Sequence, residues 1–299
     1  MFFVCFFIGS LFRLVDIQKR VVYTGFEFIY KQRCGAREDQ LIETWKIPVT
    51  PVTGREPRKV YVYLPDGAER QAGQDGGRFP VLYMLDGHNV FFDEDATYGK
   101  SWGMGEYLEK TGTGLIVAAV DCNHRPPHGR LNEYSPFTFE DPHFGRVTGY
   151  GRRFMRWMTE TLKPVIDSRY PTLPGRETTW IAGSSMGGLM SLFAVSEFNR
   201  VFSRAAALSP SVWAGRGRLE GLIRKTAFAQ DTVVYMDYGS EETRGQERTT
   251  AAFWRCAETL SDRGVFVTAR VVPGGTHCEA SWEKQIPVFL PALMYESGA

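Results

Sequence analysis

The chain has 299 residues, 43% of them hydrophobic and 23% charged, a composition typical of a globular protein with one large or two small domains. Its formal net charge of +1 excludes the strongly basic surface with which proteins bind nucleic acid or acidic membranes. Its five cysteines are odd in number, widely spaced and without a Cys-x-x-Cys pair, which argues against a disulfide framework and against a zinc site and favours a reducing compartment such as the cytoplasm.

Residues 1–40 do not show the pattern of a folded segment. Residues 1–12 are strongly apolar, yet they are too few to span a bilayer and lack the basic start and the cleavage site of a secretory signal. Residues 13–37 have mixed charge and no clear periodicity. We therefore predict an N-terminal appendage outside the fold over residues 1–40, with a weakly membrane-associating segment as the alternative, and one folded domain over residues 41–299.

From residue 41 onwards, strand patterns alternate with helical patterns. Residues 58–65 alternate between apolar and polar, and the continuous apolar runs at 79–85 and 115–121 are typical of strands buried on both faces. The further predicted strands are residues 43–48, 178–182, 205–208, 232–238 and 265–272, and the predicted helices are residues 101–110, 150–170, 186–198, 246–263 and 280–295. This order predicts an α/β fold with a mostly parallel central sheet and helices on both faces.

Two stretches are predicted to be irregular, at residues 66–77 and 122–147. The connection from residue 208 to residue 232 is too short for a large lid domain.

A glycine-rich turn follows the predicted strand at residues 178–182. Its sequence, Gly183-Ser184-Ser185-Met186-Gly187, fits the pattern Gly-x-Ser-x-Gly. In such a strand-to-helix turn the serine is strained, and the glycines remove side chains that would collide. The turn also aims the first N–H groups of the helix at whatever the hydroxyl attacks. Because a similar turn also occurs without chemistry, the rest of the chain must supply a base for Ser185.

A serine hydroxyl needs a base that removes its proton as it attacks. Among the five histidines, His277 is the one that follows Ser185, in a glycine-rich loop directly after the last predicted strand. The order serine, acid, histidine is that of the α/β hydrolases. The acid is then expected after the strand at residues 232–238, where spacing does not separate Glu241 from Glu242. Asp237 lies within that strand, so we expect it to make structural bonds.

Attack on a carbonyl places negative charge on its oxygen, which preorganised N–H groups stabilise. We predict that the backbone of Met186, directly after Ser185, supplies one donor. The backbone of His88, in the loop after the strand at residues 79–85, is predicted to supply the second. Alternatively, the His88 side chain shapes the acyl pocket.

Four co-ordered segments resemble the putative-esterase (esterase D-like) family of the α/β hydrolases. They are VLYMLDGH at residues 81–88, GSSMGG at 183–188, DYGSEE at 237–242 and GGTH at 274–277. The family includes enterochelin, feruloyl and acetyl xylan esterases, S-formylglutathione hydrolases and bacterial mycolyltransferases. The resemblance runs from about residue 43 to the C-terminus and implies the α/β-hydrolase fold. The family's acid lies three residues after the glycine of its loop, which implies Glu242.

Substrate and metal sites are less marked. Three tryptophans near strand ends or the predicted catalytic loops, Trp102, Trp213 and Trp282, are predicted to line the substrate pocket as an aromatic platform. His124 and His128 hint at a metal, but no carboxylate or cysteine spacing completes a site, so no metal is expected.

The expected function is that of a serine esterase without a cofactor. It would hydrolyse carboxylic esters of carbohydrates or other small alcohols through an acyl-enzyme. Two alternatives stay open: a thioester hydrolase or acyltransferase with the same residues, and a non-catalytic hydrolase-like binding protein. The expected partner is a small-molecule ester, with neither nucleic acid nor stable membrane insertion, and a homo-oligomer is compatible with the sequence.

Overall fold

The computed structural model describes residues 28–33, 41–68, 77–215 and 217–295. Its strands are β1 (Phe28–Arg33), β2 (Leu41–Pro48), β3 (Pro57–Leu64), β4 (Val81–Leu85), β5 (Ile116–Val120), β6 (Phe139–Asp141), β7 (Gly145–Val147), β8 (Thr179–Ser184), β9 (Arg204–Leu208), β10 (Val233–Gly239) and β11 (Phe266–Val272). Its α-helices are α1 (Thr50–Thr53), α2 (Met104–Thr111), α3 (Gly129–Glu133), α4 (Gly151–Trp157), α5 (Lys163–Arg169), α6 (Met186–Glu197), α7 (Arg218–Lys225), α8 (Ser240–Thr243), α9 (Glu247–Asp262), α10 (Glu279–Glu283) and α11 (Ile286–Leu293). A π-helical turn, Met158–Leu162, joins α4 to α5, and 3-10 helices cover Gly87–Asn89 and Arg176–Thr178.

Nine of the described strands form one sheet in the order β1-β2-β3-β5-β4-β8-β9-β10-β11. In this order, every neighbouring pair from β5 to β11 is parallel, whereas the pairs β1–β2, β2–β3 and β3–β5 are antiparallel. The strands β6 and β7 form a separate antiparallel pair. Parallel strands end at the same edge of a sheet, so the loops after β4, β5, β8, β9, β10 and β11 gather on one side. The prediction of a mostly parallel sheet is confirmed.

The two faces of the sheet carry two separate hydrophobic cores. All residues of β4 and β5 are buried, as the continuous apolar runs predicted, and their side chains alternate between the two cores. One core packs the sheet against α4, α5, α6, α7 and α9, and the other packs it against α2 and α11. Helices therefore cover both faces, as predicted. The buried helix α6, which follows the serine turn, is held at the centre of the first core.

The prediction that residues 1–40 lie outside the fold is wrong for residues 28–33. Residues 28–33, expected outside the fold, form β1, which pairs antiparallel with β2 at the edge of the sheet. An edge strand is held by backbone hydrogen bonds to one neighbour, so the mixed charge of this segment did not reveal it. The expectations for residues 1–27 and 34–40, and for residues 69–76 of the predicted loop, lie outside the described residues.

Several short elements interrupt stretches predicted as loops. The helix α3 and the β6–β7 pair lie within the predicted irregular stretch at residues 122–147, and α7 occupies the connection between β9 and β10. Apart from α7 and turns, the described part of that connection adds nothing large enough to form a lid, as expected. Over the residues described, no helix has both the length and the apolar character needed to cross a bilayer.

Candidate active site

The turn after β8 presents Ser185 in a strained backbone conformation. Ser185 has φ of 56° and ψ of −120°, a region that residues with a side chain rarely adopt. The turn is so tight that a Cβ atom on Gly183 would lie 2.8 Å from the carbonyl carbon of Gly187. The Ser185 N–H donates to the Leu208 carbonyl oxygen of β9 at 2.9 Å. The hydroxyl is thereby lifted above the sheet edge at the start of α6.

A histidine–carboxylate pair lies on the two loops after β10 and β11. His277 Nδ1 is 2.5 Å from Glu242 Oε2, and the Glu242 side chain is only 9% exposed. The Glu242 Oε1 atom accepts from the Ser209 hydroxyl at 2.6 Å and from the Gly239 N–H at 2.9 Å. With three donors around it, this carboxylate is held in one orientation. It can fix the tautomer in which His277 carries its proton on Nδ1.

The other two carboxylates considered from the sequence lie elsewhere. Glu241 is exposed and pairs with Arg244 at 3.1 Å. Asp237 is 1% exposed inside β10 and accepts from the Tyr235 hydroxyl at 2.7 Å. Burial raises the pKa of Asp237 to about 6, partly offset by this hydrogen bond. The structure therefore brings Glu242, rather than Glu241 or Asp237, to His277.

The acid loop and the histidine loop are in backbone contact. A Cβ atom on Gly275 would lie 2.8 Å from the Gly239 Cα atom. The Glu241 N–H also donates to the Gly275 carbonyl oxygen at 3.1 Å, and the Gly274 N–H donates to the Ser240 hydroxyl at 2.9 Å. These contacts fix the relative position of the two loops, and the absence of side chains at both glycines is what permits them.

Ser185 and His277 line one open cavity of about 660 Å³. In this structure the Ser185 hydroxyl lies 3.5 Å from the hydroxyl of Ser211, which lines the same cavity. Met186 and His88 also line the cavity. Met186 is the first residue of α6 and His88 is the second of its 3-10 helix, positions whose N–H groups have no acceptor within their own helix.

A buried ion pair fixes the turn that carries His88. Asp86 adopts a left-handed conformation with φ of 56° and is 4% exposed. Both of its carboxylate oxygens accept from Arg130 of α3, at 2.6 and 2.7 Å, while the Asp86 N–H donates to the Tyr134 hydroxyl at 3.0 Å. Such a bidentate pair constrains orientation as well as position. The turn that carries the His88 backbone is thus held in place.

Ser209 is a residue of this site that the sequence did not single out. Besides donating to Glu242, its hydroxyl accepts from the Trp282 indole Nε1–H at 3.0 Å. The Trp282 ring in turn packs edge-on against the His277 ring, with centroids 5.1 Å apart. The sequence signal that could have revealed Ser209 was its position directly after β9, on the same sheet edge as Ser185.

The three tryptophans predicted to line the pocket lie in different surroundings. Trp213 lines the cavity, is 37% exposed and stacks on Phe144. Trp282 also lines the cavity but is 6% exposed, because it forms the wall behind His277. Trp102 is not part of the cavity lining. It is 3% exposed and packs between Trp282 and Phe289 in the hydrophobic core, so its placement in the pocket was wrong.

The His88 side chain points to a cluster on the cavity wall. Its Nδ1 lies 2.6 Å from Asp121 Oδ1, and its Nε2 lies 2.9 Å from the Thr97 hydroxyl oxygen. His124 also contacts Asp121 Oδ1, through Nε2 at 2.9 Å. Burial opposes ionisation of Asp121, but the contacts with the two histidines outweigh it and hold the pKa of this carboxyl well below its usual range. His128, paired with His124 in the sequence reasoning, lines the cavity outside this cluster.

The sheet order, with a Gly-x-Ser-x-Gly turn after β8 and the carboxylate and histidine on the loops after β10 and β11, defines the class of the α/β hydrolases. Within that class the chain belongs to the family whose model is described as "Putative esterase", which matches residues 52–293. The protein is therefore a carboxylic ester hydrolase of this family, and the resemblance seen in the sequence is confirmed.

Individual relatives are distant. The chain is 24% identical over 192 residues to the uncharacterized protein YbbA of Bacillus subtilis, covering 64% of this chain and 71% of that protein. It is 27% identical over 150 residues to the siderophore triacetylfusarinine C esterase of Aspergillus fumigatus, covering 48% of each. The structure resembles that of an IroE-like serine hydrolase from Shewanella oneidensis, with a TM-score of 0.64, 20% identity, and coverage of 84% of this chain and 78% of the other. At this identity the structural likeness shows a shared fold.

Proposed function

We propose that the protein is a serine esterase that hydrolyses carboxylic esters through an acyl-enzyme formed on Ser185. The observation that carries the proposal is the 2.5 Å contact between His277 Nδ1 and Glu242 Oε2, on the wall of the cavity that contains Ser185. A histidine with its Nδ1 proton held by a buried carboxylate has a free Nε2 that can accept a proton from a serine hydroxyl. The non-catalytic binding protein considered from the sequence gives no reason for this arrangement.

The first half of the reaction forms the acyl-enzyme. When an ester enters the cavity, the Ser185 hydroxyl turns from Ser211 towards His277 and attacks the carbonyl carbon. Its proton passes to His277 Nε2, and the negative charge on the carbonyl oxygen is stabilised by the N–H groups of Met186 and His88. His277 then protonates the alkoxide of the departing alcohol, which leaves Ser185 acylated.

The second half uses water in place of the serine. His277 Nε2 removes a proton from the water as it attacks the acyl carbon, and the same N–H groups stabilise the second oxyanion. Collapse of this intermediate expels the Ser185 oxygen, which regains its proton from His277. The carboxylic acid is released and no cofactor takes part.

For the substrate, we propose acyl esters of carbohydrates or other small alcohols, including esters of the siderophore kind. The exposed face of Trp213, supported by Phe144, offers a flat aromatic surface on which a sugar or an aromatic acyl group can stack. The relative from Aspergillus fumigatus acts on the siderophore triacetylfusarinine C, and the open cavity has room for a substrate larger than a simple ester.

The test is the variant Ser185→Ala in the full chain, with Ser196→Ala as the matched control. Ser196 is buried in the same helix and its hydroxyl bonds to the Leu192 carbonyl, remote from the cavity. We expect Ser185→Ala to lose hydrolysis of p-nitrophenyl acetate and labelling by a fluorophosphonate probe, while Ser196→Ala keeps both. Retained turnover in a folded Ser185→Ala variant would refute the proposal.

Substrate class is tested separately. The parent protein is assayed against acetylated and feruloylated sugars, triacetylfusarinine C and S-acyl glutathione, with and without alcohol acceptors. Hydrolysis of oxygen esters to free acid is the expected outcome. Transfer to the alcohols, or a preference for the thioester, would favour the alternatives that share the same residues.

We propose a reducing compartment for this protein from the state of its cysteines. Cys122, Cys256 and Cys278 are free thiols in the part of the chain that the structure describes, which supports a reducing compartment such as the cytoplasm.

A further inference from the structure

Four side chains of types that can bind a metal lie together beside the cavity, directly after two neighbouring parallel strands. His88 follows β4, and Asp121, Cys122 and His124 follow β5. One ligand atom from each of the four lies within 4.8 Å of all the others. This set is called the β4–β5 cluster below. Two histidines, a cysteine and an aspartate are ligands that zinc accepts in proteins.

The spacing of the β4–β5 cluster is close to that of a tetrahedral metal site. Zinc–ligand bonds of 2.0–2.3 Å place tetrahedral ligand atoms about 3.3–3.8 Å apart. Here His124 Nε2 lies 3.9 Å from Cys122 Sγ and 2.9 Å from Asp121 Oδ1, and His88 Nδ1 lies 2.6 Å from the same oxygen. Opening the two shorter contacts by about 1 Å or less would accommodate the ion.

The buried ring of His88 directs one nitrogen into the cluster. His88 is 8% exposed, and its Nδ1 lies 2.6 Å from Asp121 Oδ1 without the alignment of a good hydrogen bond. The other ring nitrogen of His88 contacts the Thr97 hydroxyl at 2.9 Å, which fixes the ring with Nδ1 directed into the cluster. Metal-binding histidines are commonly oriented in this way by a partner on the second nitrogen.

Charge and access also fit a divalent cation. An aspartate and a cysteine that has lost its proton to the ligand bond carry two negative charges, which balance one M²⁺ ion. Cys122 is 1% exposed, whereas the His124 side chain is 60% exposed and opens the cluster to solvent through the cavity. The Cys122 N–H donates to Asp121 Oδ1 at 2.7 Å, which orients that carboxylate.

We propose that the β4–β5 cluster is a binding site for a thiophilic divalent cation, with Zn²⁺ the best match to its ligands. The site is separate from Ser185, His277 and Glu242, so it does not depend on the proposed catalytic roles. It replaces the expectation of no metal, which rested on the spacing of the cysteines and on His124 with His128. The sequence missed it because His88 reaches the other three ligands only through the pairing of β4 with β5.

The experiment uses the full chain, freed of tags and stripped with a chelator, and measures Zn²⁺ binding by calorimetry and Co²⁺ binding by absorption. We expect one ion per chain at this site and a thiolate-to-Co²⁺ charge-transfer band. His124→Gln should weaken Zn²⁺ affinity at least about tenfold, and Cys122→Ser should abolish the band. The matched controls are His128→Asn and Cys278→Ser, a histidine and a cysteine outside the cluster, which should leave affinity and band unchanged.

Two results would overturn the proposal. One is equal metal affinity in the parent, His124→Gln and Cys122→Ser. The other is a charge-transfer band that survives Cys122→Ser and disappears in Cys278→Ser, which would place the ion beside His277 instead. If the buried substitution Cys122→Ser prevents folding, the exposed His124→Gln substitution gives the same comparison through the calorimetry.

Discussion

Replacing Glu242 by Gln is the change that most directly tests how the charge of this carboxylate serves His277. In the parent, Glu242 Oε2 accepts from His277 Nδ1, while Oε1 accepts from Ser209 and Gly239. In Glu242→Gln the amide oxygen can keep the Ser209 and Gly239 bonds. The amide NH₂ must then face His277 Nδ1 as a donor, so the imidazole takes the tautomer with its proton on Nε2. That nitrogen can no longer accept the serine proton.

The expected loss follows from this reversed tautomer. The equivalent Asp-to-Asn change in a serine protease lowers kcat by about 10⁴, or about 5 kcal/mol of transition-state stabilisation. We expect a loss of the same order for Glu242→Gln. Because the bonds from Ser209 and Gly239 persist, the free energy of unfolding should change by only about 1 kcal/mol.

The assay is kcat for p-nitrophenyl acetate at constant pH, with urea unfolding measured on the same preparations. The matched control is Glu241→Gln, which removes the neighbouring carboxylate that pairs with Arg244 on the surface. We expect this control to stay within about twofold of the parent in kcat, because exposed ion pairs contribute little. A folded Glu242→Gln variant within tenfold of the parent, or an equal loss in Glu241→Gln, would refute the reasoning.

Three further changes probe the surroundings of the pair. Ser209→Ala removes one donor to Glu242 and leaves the Trp282 N–H without its acceptor, so we expect about a tenfold fall in kcat and about 1–3 kcal/mol of lost stability; unchanged kcat would exclude a positioning role. Gly275→Ala forces a Cβ atom against Gly239, and urea unfolding should show a loss of about 1–3 kcal/mol, whereas parent-like stability would show that the two loops separate freely. Asp237 has a folded pKa of about 6 against an unfolded value of about 3.9, so the stability it contributes is fully present below about pH 4 and is lost as the pH rises through about 6. Urea unfolding should therefore show Asp237→Asn gaining about 2–3 kcal/mol on the parent between about pH 4 and pH 7, and a pH-independent difference would contradict the raised pKa.

The parallel part of the sheet could be predicted from the sequence because its strands are buried on both faces. Such strands must be continuously apolar, as residues 79–85 and 115–121 are, so composition alone reveals them. The strand β1 could not be found in the same way. It is held at the sheet edge through its backbone, and backbone hydrogen bonds do not require a particular pattern of residues. The short helix α7 was missed because a few residues of helical pattern do not stand out within a connection.

The candidate site was predictable where chain order carries information. Ser185 follows from its turn and His277 from its position after the last strand, and their catalytic roles stay predictions. Spacing could not choose between Glu241 and Glu242, and the family resemblance did so. Trp102 was misplaced because nearness to a strand end does not tell which way a side chain points, and here it points into the core.

The pairing of β1 with β2 has a consequence for any shortened form of this protein. A chain cut at residue 41, where the sequence alone would place the start of the domain, would lose β1 and leave the outer backbone groups of β2 without partners. An uncovered edge of this kind is a template on which strands of other molecules can add. Such a chain would keep Ser185, His277 and Glu242 and yet be prone to aggregate through its sheet edge.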